Sequence, residues 1–186
     1  MTIRSINELL AQADATIEDN TSANITPADV RSLIKDFLDT VAPAYAAITC
    51  SGATLTLSAT PQAIAPFTSQ DALTTGLWTV NLTTGSTTRA LSGVAGSTTF
   101  VSVNGTVEGP LNDLVTVRLY KNGAPTPFLV SATCQGAGRP VGFDFSGLDY
   151  TNANATFDVR ASGDAGSKTF SNVFLLCQTQ TVRSFT

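Results

Sequence analysis

The side chains that could do acid–base chemistry in this chain are carboxylates, because it contains no histidine. Without histidine there is no Ser-His-Asp or Cys-His arrangement and no imidazole to bind zinc. After residue 45, the closest carboxylates in sequence are Glu108 with Asp113 and Asp144 with Asp149. Each pair brackets a glycine, so we interpret all four as turn residues, with a weak calcium site as the alternative. We therefore expect no catalytic, cofactor or metal site. A polysaccharide depolymerase acting through Asp144 and Asp149 is the remaining enzymatic hypothesis.

The three cysteines, Cys50, Cys134 and Cys177, are widely separated and form no Cys-x-x-Cys motif. This pattern predicts three reduced, partly buried thiols. A bridge between Cys50 and Cys177 stays open, since both fall at strand-like positions. Arg139 follows Cys134 closely and could lower its pKa, but with no base or acid beside the thiol a structural loop is favoured.

Two other features have structural interpretations that compete with binding. The run from Gly163 to Lys168 has the glycines of a phosphate loop, but it lacks the Gly-Lys-Ser/Thr order and no helix follows. It therefore predicts a hairpin. Trp78 and Tyr120 could stack on a sugar ring, although a lone tryptophan in a strand is more often a core residue.

The elements that would position these residues are strands. From Leu114 to Tyr120 apolar and polar residues alternate, which indicates a strand with one buried face. Asn104-Gly105 and Asn122-Gly123 predict two tight hairpins. The nearly continuous apolar run Thr169–Cys177 indicates a central strand covered on both faces. Eight to ten such segments after residue 45 predict a mainly β fold, an antiparallel sandwich or jelly roll.

The first forty residues predict two short helices instead. A capping box, Ser5 with Glu8, begins the first, and Thr26 with Pro27 begins the second. A hinge at 44–47 would divide the chain into a helical module, 1–45, and a β domain, 46–186. The apolar stripes need a partner surface, either one end of the sandwich or another protein. We favour a particle anchor or oligomer interface formed by Ile6, Leu9, Leu10, Val30, Leu33, Ile34, Phe37 and Leu38.

The net charge of −4 lies entirely in residues 1–40, which hold seven acids and three bases, while residues 41–186 hold seven of each. No basic stripe predicts nucleic-acid binding, and no apolar run is long enough for a membrane span. The first residues lack the apolar core of a signal peptide, so we expect synthesis in a cytoplasm.

The helical segment resembles the opening module of many tailed-bacteriophage virion proteins. The resemblance is carried by residues 5–10, by 20–31 with its Ile-Thr-Pro helix start, and by 37–40. The order and spacing of the strand-like segments in the β domain are similar to those of the TNF-like jelly rolls of phage head fibres and decoration proteins. The matching segments are Leu77–Leu82, Thr98–Val107, Val115–Gly123 and Thr169–Cys177.

This resemblance implies a homotrimer whose N-terminal helices attach it to other virion proteins of the capsid or tail. The expected function is non-enzymatic and structural: a capsid decoration, head-fibre or short tail-fibre subunit, located in the virion and made in the host cytoplasm. The alternative is an adhesin module of the phage tail that binds a host receptor or surface glycan through loops 60–72, 92–97 or 135–140.

Overall fold

The computed structural model describes residues 30, 34, 44–73, 77–90, 97–150 and 153–181. The described residues form eleven strands. They are β1 (Ala44–Leu57), β2 (Gln62–Ala63), β3 (Ser69–Leu73), β4 (Trp78–Asn81), β5 (Ser86–Arg89), β6 (Ser97–Glu108), β7 (Leu114–Lys121), β8 (Ala124–Thr133), β9 (Val141–Asp149), β10 (Ala155–Gly163) and β11 (Gly166–Thr181).

The strands form two antiparallel sheets. Sheet A has the order β3-β1-β11-β6-β9, and sheet B has the order β4-β5-β10-β7-β8 with β2 beside β10. From β5 onward the chain passes to the other sheet at every connection except the β7–β8 hairpin. This connectivity is that of a jelly roll. The prediction of a mainly β antiparallel sandwich is therefore confirmed for the described residues.

The core lies between the sheets and is filled by alternate residues of the long strands. In β7, the predicted inward residues Val115, Val117 and Leu119 are all buried. The predicted central strand is also confirmed, because β11 lies between β1 and β6. A bulge near Asn172 (φ 52°) shifts the register of β11. The extra residue allows side chains at odd spacing to face the same core.

The two Asn-Gly pairs have different outcomes. Asn122 and Gly123 join β7 to β8 with φ values of 51° and 78°, which confirms the predicted tight hairpin. The prediction of a hairpin at Asn104-Gly105 is wrong, because both residues lie inside β6. At Gly105 a Cβ would lie 2.8 Å from the ring of Phe143. The glycine therefore makes room for a core aromatic instead of forming a turn.

The predicted hinge at 44–47 is also wrong, because β1 begins at Ala44 and Ala44, Ala46 and Ala47 are buried. A run of small residues looked like a linker, but small side chains also suit a strand packed against neighbours. Apart from Val30 and Ile34, the two predicted N-terminal helices lie outside the described residues, so the helical module and its boundary stay predictions. Among the residues that are described, no helix is long and apolar enough to cross a membrane.

Candidate functional site

Asp144 and Asp149 lie in β9 and not in a turn, so the turn prediction for this pair is wrong. The glycine between them, Gly147, accepts the ring of Phe128: a Cβ there would lie 2.2 Å from it. Five residues apart in a strand, the two carboxylates point to opposite faces of sheet A. Within one subunit they cannot act together on one substrate, so their geometry gives the depolymerase hypothesis no support.

The carboxylate of Asp149 in sheet A forms ion pairs with two side chains of sheet B. Its carboxylate lies 3.3 Å from a guanidinium nitrogen of Arg89 in β5 and 2.6 Å from Nζ of Lys121 in β7. Arg89 is fully buried and also donates hydrogen bonds to Thr99 Oγ1 and to the carbonyl of Ala153. Burial lowers the pKa of Arg89, and the nearby carboxylate of Asp149 opposes that shift. This group of side chains is a structural network.

The second pair, Glu108 and Asp113, is also separated by its contacts. Glu108 ends β6 and accepts a hydrogen bond from the backbone N–H of Gly138, at 2.6 Å. Asp113 lies in the β6–β7 turn, as predicted, where its carboxylate is 2.8 Å from Nζ of the fully buried Lys168. Each acid has its own structural partner, and neither is left free to act on a substrate.

All three cysteines are free and buried. Burial raises the pKa of each thiol, and that of Cys177 reaches about 12. The cation near Cys134 is Lys168, not Arg139. In the β1–β11 ladder Cys50 lies opposite Val173 and Cys177 opposite Ala46. That offset of four residues spans about 13 Å, too far for a disulfide.

The glycine-containing run from Gly163 to Lys168 and the aromatic residues Trp78 and Tyr120, which were considered as possible binding sites, have structural roles. The segment between Gly163 and Gly166 connects β10 of sheet B to β11 of sheet A. These two strands do not pair with each other, so the hairpin prediction is wrong, although the segment does lie between two strands. Trp78 is 1% exposed and donates a hydrogen bond to the carbonyl of Ala44, which confirms its core position. Tyr120 is 7% exposed, and the guanidinium of Arg160 lies over its ring at 4.3 Å. Neither ring is open to a sugar.

Part of the outer surface of sheet A, which we call the A face, is formed by side chains of β1, β11, β6 and β9 that the strand register aligns in three rows. The rows are Tyr45–Gln178–Phe100–Leu148, Ala47–Leu176–Ser102–Ser146 and Thr49–Phe174–Asn104–Asp144.

The A face carries little charge, and half of its twelve residues are apolar, namely Tyr45, Ala47, Phe100, Leu148, Phe174 and Leu176. Tyr45 and Leu148 are 39% and 43% exposed. Phe100, Phe174 and Leu176 are partly exposed and belong to no core cluster. Asp144 is the one carboxylate in the three rows, which contain no lysine or arginine. The apolar run in Thr169–Cys177 was the sequence signal for this face, since it predicted cover on both sides of the strand.

The outer surface of sheet B is polar by contrast. Arg118 of β7 lies directly opposite Arg160 of β10. Both line a shallow cleft of about 340 Å³, the B cleft, whose other walls include Thr116, Ser162 and Pro61. Sequence reasoning missed this pair of arginines, because only the register of the two strands brings them together.

The predicted anchor residues remain a prediction. Ile6, Leu9, Leu10, Leu33, Phe37 and Leu38 lie outside the described residues. Val30 and Ile34 are described, and their side chains are 43% and 53% exposed. Within the described part of the chain, no group of three or more acidic or cysteine side chains could hold a metal ion.

Comparisons with known proteins add a likeness of fold. No family model matches the chain, and no curated protein does. Among solved structures, it is similar to the globular domain of zebrafish complement 1qA protein, with 11% identity, a TM-score of 0.45, and coverage of 75% of this chain and 97% of the other. It is also similar to murine APRIL at pH 5.0, with 6% identity, a TM-score of 0.49, and coverage of 74% and 98%.

A third similar structure is the Eiger TNF of S. frugiperda, with 12% identity, a TM-score of 0.49, and coverage of 77% of this chain and 94% of the other. Identities and TM-scores at this level carry no statement about activity or partners. The architecture rests on the strand order of the chain itself, which is that of an antiparallel jelly-roll sandwich.

Proposed function

We propose that this chain is a non-enzymatic structural subunit of a bacteriophage particle, a self-associating capsid decoration, head-fibre or short tail-fibre protein. The observation that carries the proposal is the A face. Six of its twelve residues are aromatic or aliphatic, from Tyr45 in β1 to Leu148 in β9, and its one carboxylate lies in the edge strand. A monomeric protein seldom leaves such a surface in water, because its burial between copies is favourable.

The position of the apolar residues favours a closed ring of three over a pair. Tyr45 in β1 and Leu148 in β9 lie towards opposite edges of sheet A, with Phe100 between them. One subunit can then present one edge to each of two neighbours, which is a head-to-tail contact that closes by rotation. The resemblance to phage jelly rolls in the sequence supports the same assembly. In the trimer the outer surface of sheet B stays in water.

The attachment and location follow from the same proposal. The stripe that includes Val30 and Ile34 packs on another virion protein, so the chain is found in the particle after synthesis in the host cytoplasm. Density-purified phage particles from a host that expresses the chain should contain its peptides by mass spectrometry. Their absence from particles that contain the other virion proteins would refute the virion assignment.

The oligomer is tested separately by light scattering. A chain of 19.3 kDa should have a solution mass of about 58 kDa, three times its own mass. Leu176→Glu places a charge in the centre of the A face and should yield a folded monomer, because an unpaired charge cannot be buried between copies. The matched control is Leu129→Glu, at a residue of β8 in sheet B that is 38% exposed. A monomeric parent chain, or equal loss of mass in both variants, would contradict the proposed interface.

A further inference from the structure

The two facing arginines of sheet B are unequally satisfied. Arg160 donates from Nε to the carboxylate of Asp158 at 2.5 Å, and its guanidinium lies over the ring of Tyr120. The hydrogen bond to Asp158 raises the pKa of Arg160. Arg160 therefore has both a counter-charge and a stacking partner within the protein.

Arg118 has neither of these. Its Nε is buried and makes no hydrogen bond. Among the described residues, no carboxylate lies within 4.0 Å of its guanidinium. Like charges directly opposite each other across a ladder are unfavourable, and a buried guanidinium N–H without an acceptor costs further stability. An anion in the cleft beside Arg118 would offset the repulsion between the two guanidinium groups.

The B cleft around Arg118 has the lining of a small binding site. The hydroxyl-bearing residues Thr116 and Ser162 lie opposite each other in the ladder beside the arginines, where they can hydrogen-bond to a ligand. Ala59 and Pro61 form an apolar wall on which the C–H surface of a ring can pack. The volume, about 340 Å³, is at the lower end of the range for small-molecule sites.

We propose that the B cleft binds an acidic sugar unit, with the carboxylate on the guanidinium of Arg118 and the ring hydroxyls on Thr116 and Ser162. A planar guanidinium matches a carboxylate with two parallel N–H···O hydrogen bonds. The oxyanion could also come from free phosphate, so the test distinguishes the two. The site lies on the face opposite the A face, so the test of ligand binding does not depend on whether the chain forms a trimer.

The test follows the Nε–H signal of Arg118 by NMR in the full chain, titrated with glucuronate, glucose or sodium phosphate at constant ionic strength. Glucuronate should shift this signal saturably, since a carboxylate bound beside the guanidinium changes the electric field at Nε–H, and glucose should not. Arg118→Gln should weaken glucuronate binding by roughly 10- to 100-fold, the loss expected for a charged hydrogen-bonded pair, measured by ligand-observed NMR. The matched control Arg139→Gln removes the same charge from an exposed loop and should bind normally.

Three results would overturn the proposal: no saturable shift with glucuronate, equal weakening by Arg139→Gln, or phosphate binding as tightly as glucuronate, which would assign the cleft to phosphate. If Arg118→Gln fails to fold, Arg118→Lys replaces it. That variant keeps the charge but loses the bidentate geometry, and it should bind glucuronate more weakly than the parent chain does. Unchanged binding by Arg118→Lys would also overturn the proposal.

Discussion

Asp144 and Asp149 carry the same functional group five residues apart, and their surroundings give them unrelated roles. Asp149 faces the interior and pairs with Arg89 and Lys121 of the opposite sheet. Asp144 is exposed at the edge of the A face. A carboxylate contributes to stability only where its partners are held close and away from water.

Asp149→Asn should therefore destabilise the fold by about 3 kcal/mol, because it leaves the buried Arg89 without its counter-charge. The control Asp144→Asn should change the free energy of unfolding by less than about 0.5 kcal/mol. Urea unfolding followed by tryptophan fluorescence measures both. Similar unfolding free energies for the two variants would show that the Asp149 network adds little.

The buried thiols should be unreactive in the folded chain. With a pKa of about 12 for Cys177, only roughly one molecule in ten thousand carries its thiolate at pH 8, and burial also excludes the reagent. Ellman's reagent should label none of the three cysteines on mixing and all three after denaturation. Labelling of only one thiol in the denatured, unreduced chain would instead indicate a disulfide, since a bridge removes two of the three.

The same burial determines how stability depends on high pH. The folded pKa of Cys177 lies above its ordinary value of 9.0, so the neutral thiol is favoured by folding. Its contribution is fully present below about pH 9 and is lost as pH rises from 9 towards 12. The urea midpoint of the parent chain should fall over this window more steeply than that of Cys177→Ala. Parallel curves would contradict this assignment.

At the scale of elements, the sandwich is closed along one side by β8 and β9, the edge strands of sheets B and A. Phe128 of β8 packs on Gly147 of β9, where a Cβ would meet the ring at 2.2 Å. Gly147 is therefore a contact surface for the opposite sheet. Glycine in a strand commonly marks such a close approach.

Gly147→Ala should destabilise the fold by about 1–3 kcal/mol, because the added methyl group overlaps the Phe128 ring. The control in the same strand is Gly142→Ala, where a Cβ meets nothing within 4 Å. That control should be neutral or stabilising by up to about 1 kcal/mol, since alanine restricts the unfolded chain. Denaturant unfolding compares the two variants.

Removing the overlap provides a second check on the Gly147 contact. Phe128→Val combined with Gly147→Ala should cost less than the sum of the single changes, with a coupling of at least about 0.5 kcal/mol. Simple additivity would mean that the glycine and the ring do not limit each other.

At the scale of the whole molecule, the two outer faces differ in charge: the A face carries six apolar side chains and one carboxylate, and the outer surface of sheet B carries Arg118, Arg160 and Asp158. If copies associate through the A face, folding and assembly are linked by mass action. The thermal midpoint should then rise with protein concentration in the parent chain but not in Leu176→Glu. A midpoint independent of concentration in the parent would contradict assembly through this face.

Alternation and turn chemistry in the sequence were sufficient to predict the β sandwich, the Asn122-Gly123 hairpin, the core position of Trp78 and the central place of β11. These features depend on residues close in sequence, because side chains alternate between the two faces of a strand with a period of two, and Asn-Gly readily adopts the positive φ values of a tight turn. The apolar run of β11 also indicated that its outer face needs cover. The helical anchor stays a prediction from the sequence.

Tertiary structure decided what depends on contacts between strands distant in the chain. A glycine preceded by a polar residue looks the same whether it turns the chain, as at Gly123, or admits an aromatic ring from another strand, as at Gly105 and Gly147. The direction of a carboxylate and its partner, as for Asp149, depends likewise on strand register. Register is set by the packing of both sheets at once, because a shift of one residue moves every side chain to the other face. The B cleft likewise depends on register, because only the pairing of β7 with β10 places Arg118 beside Arg160.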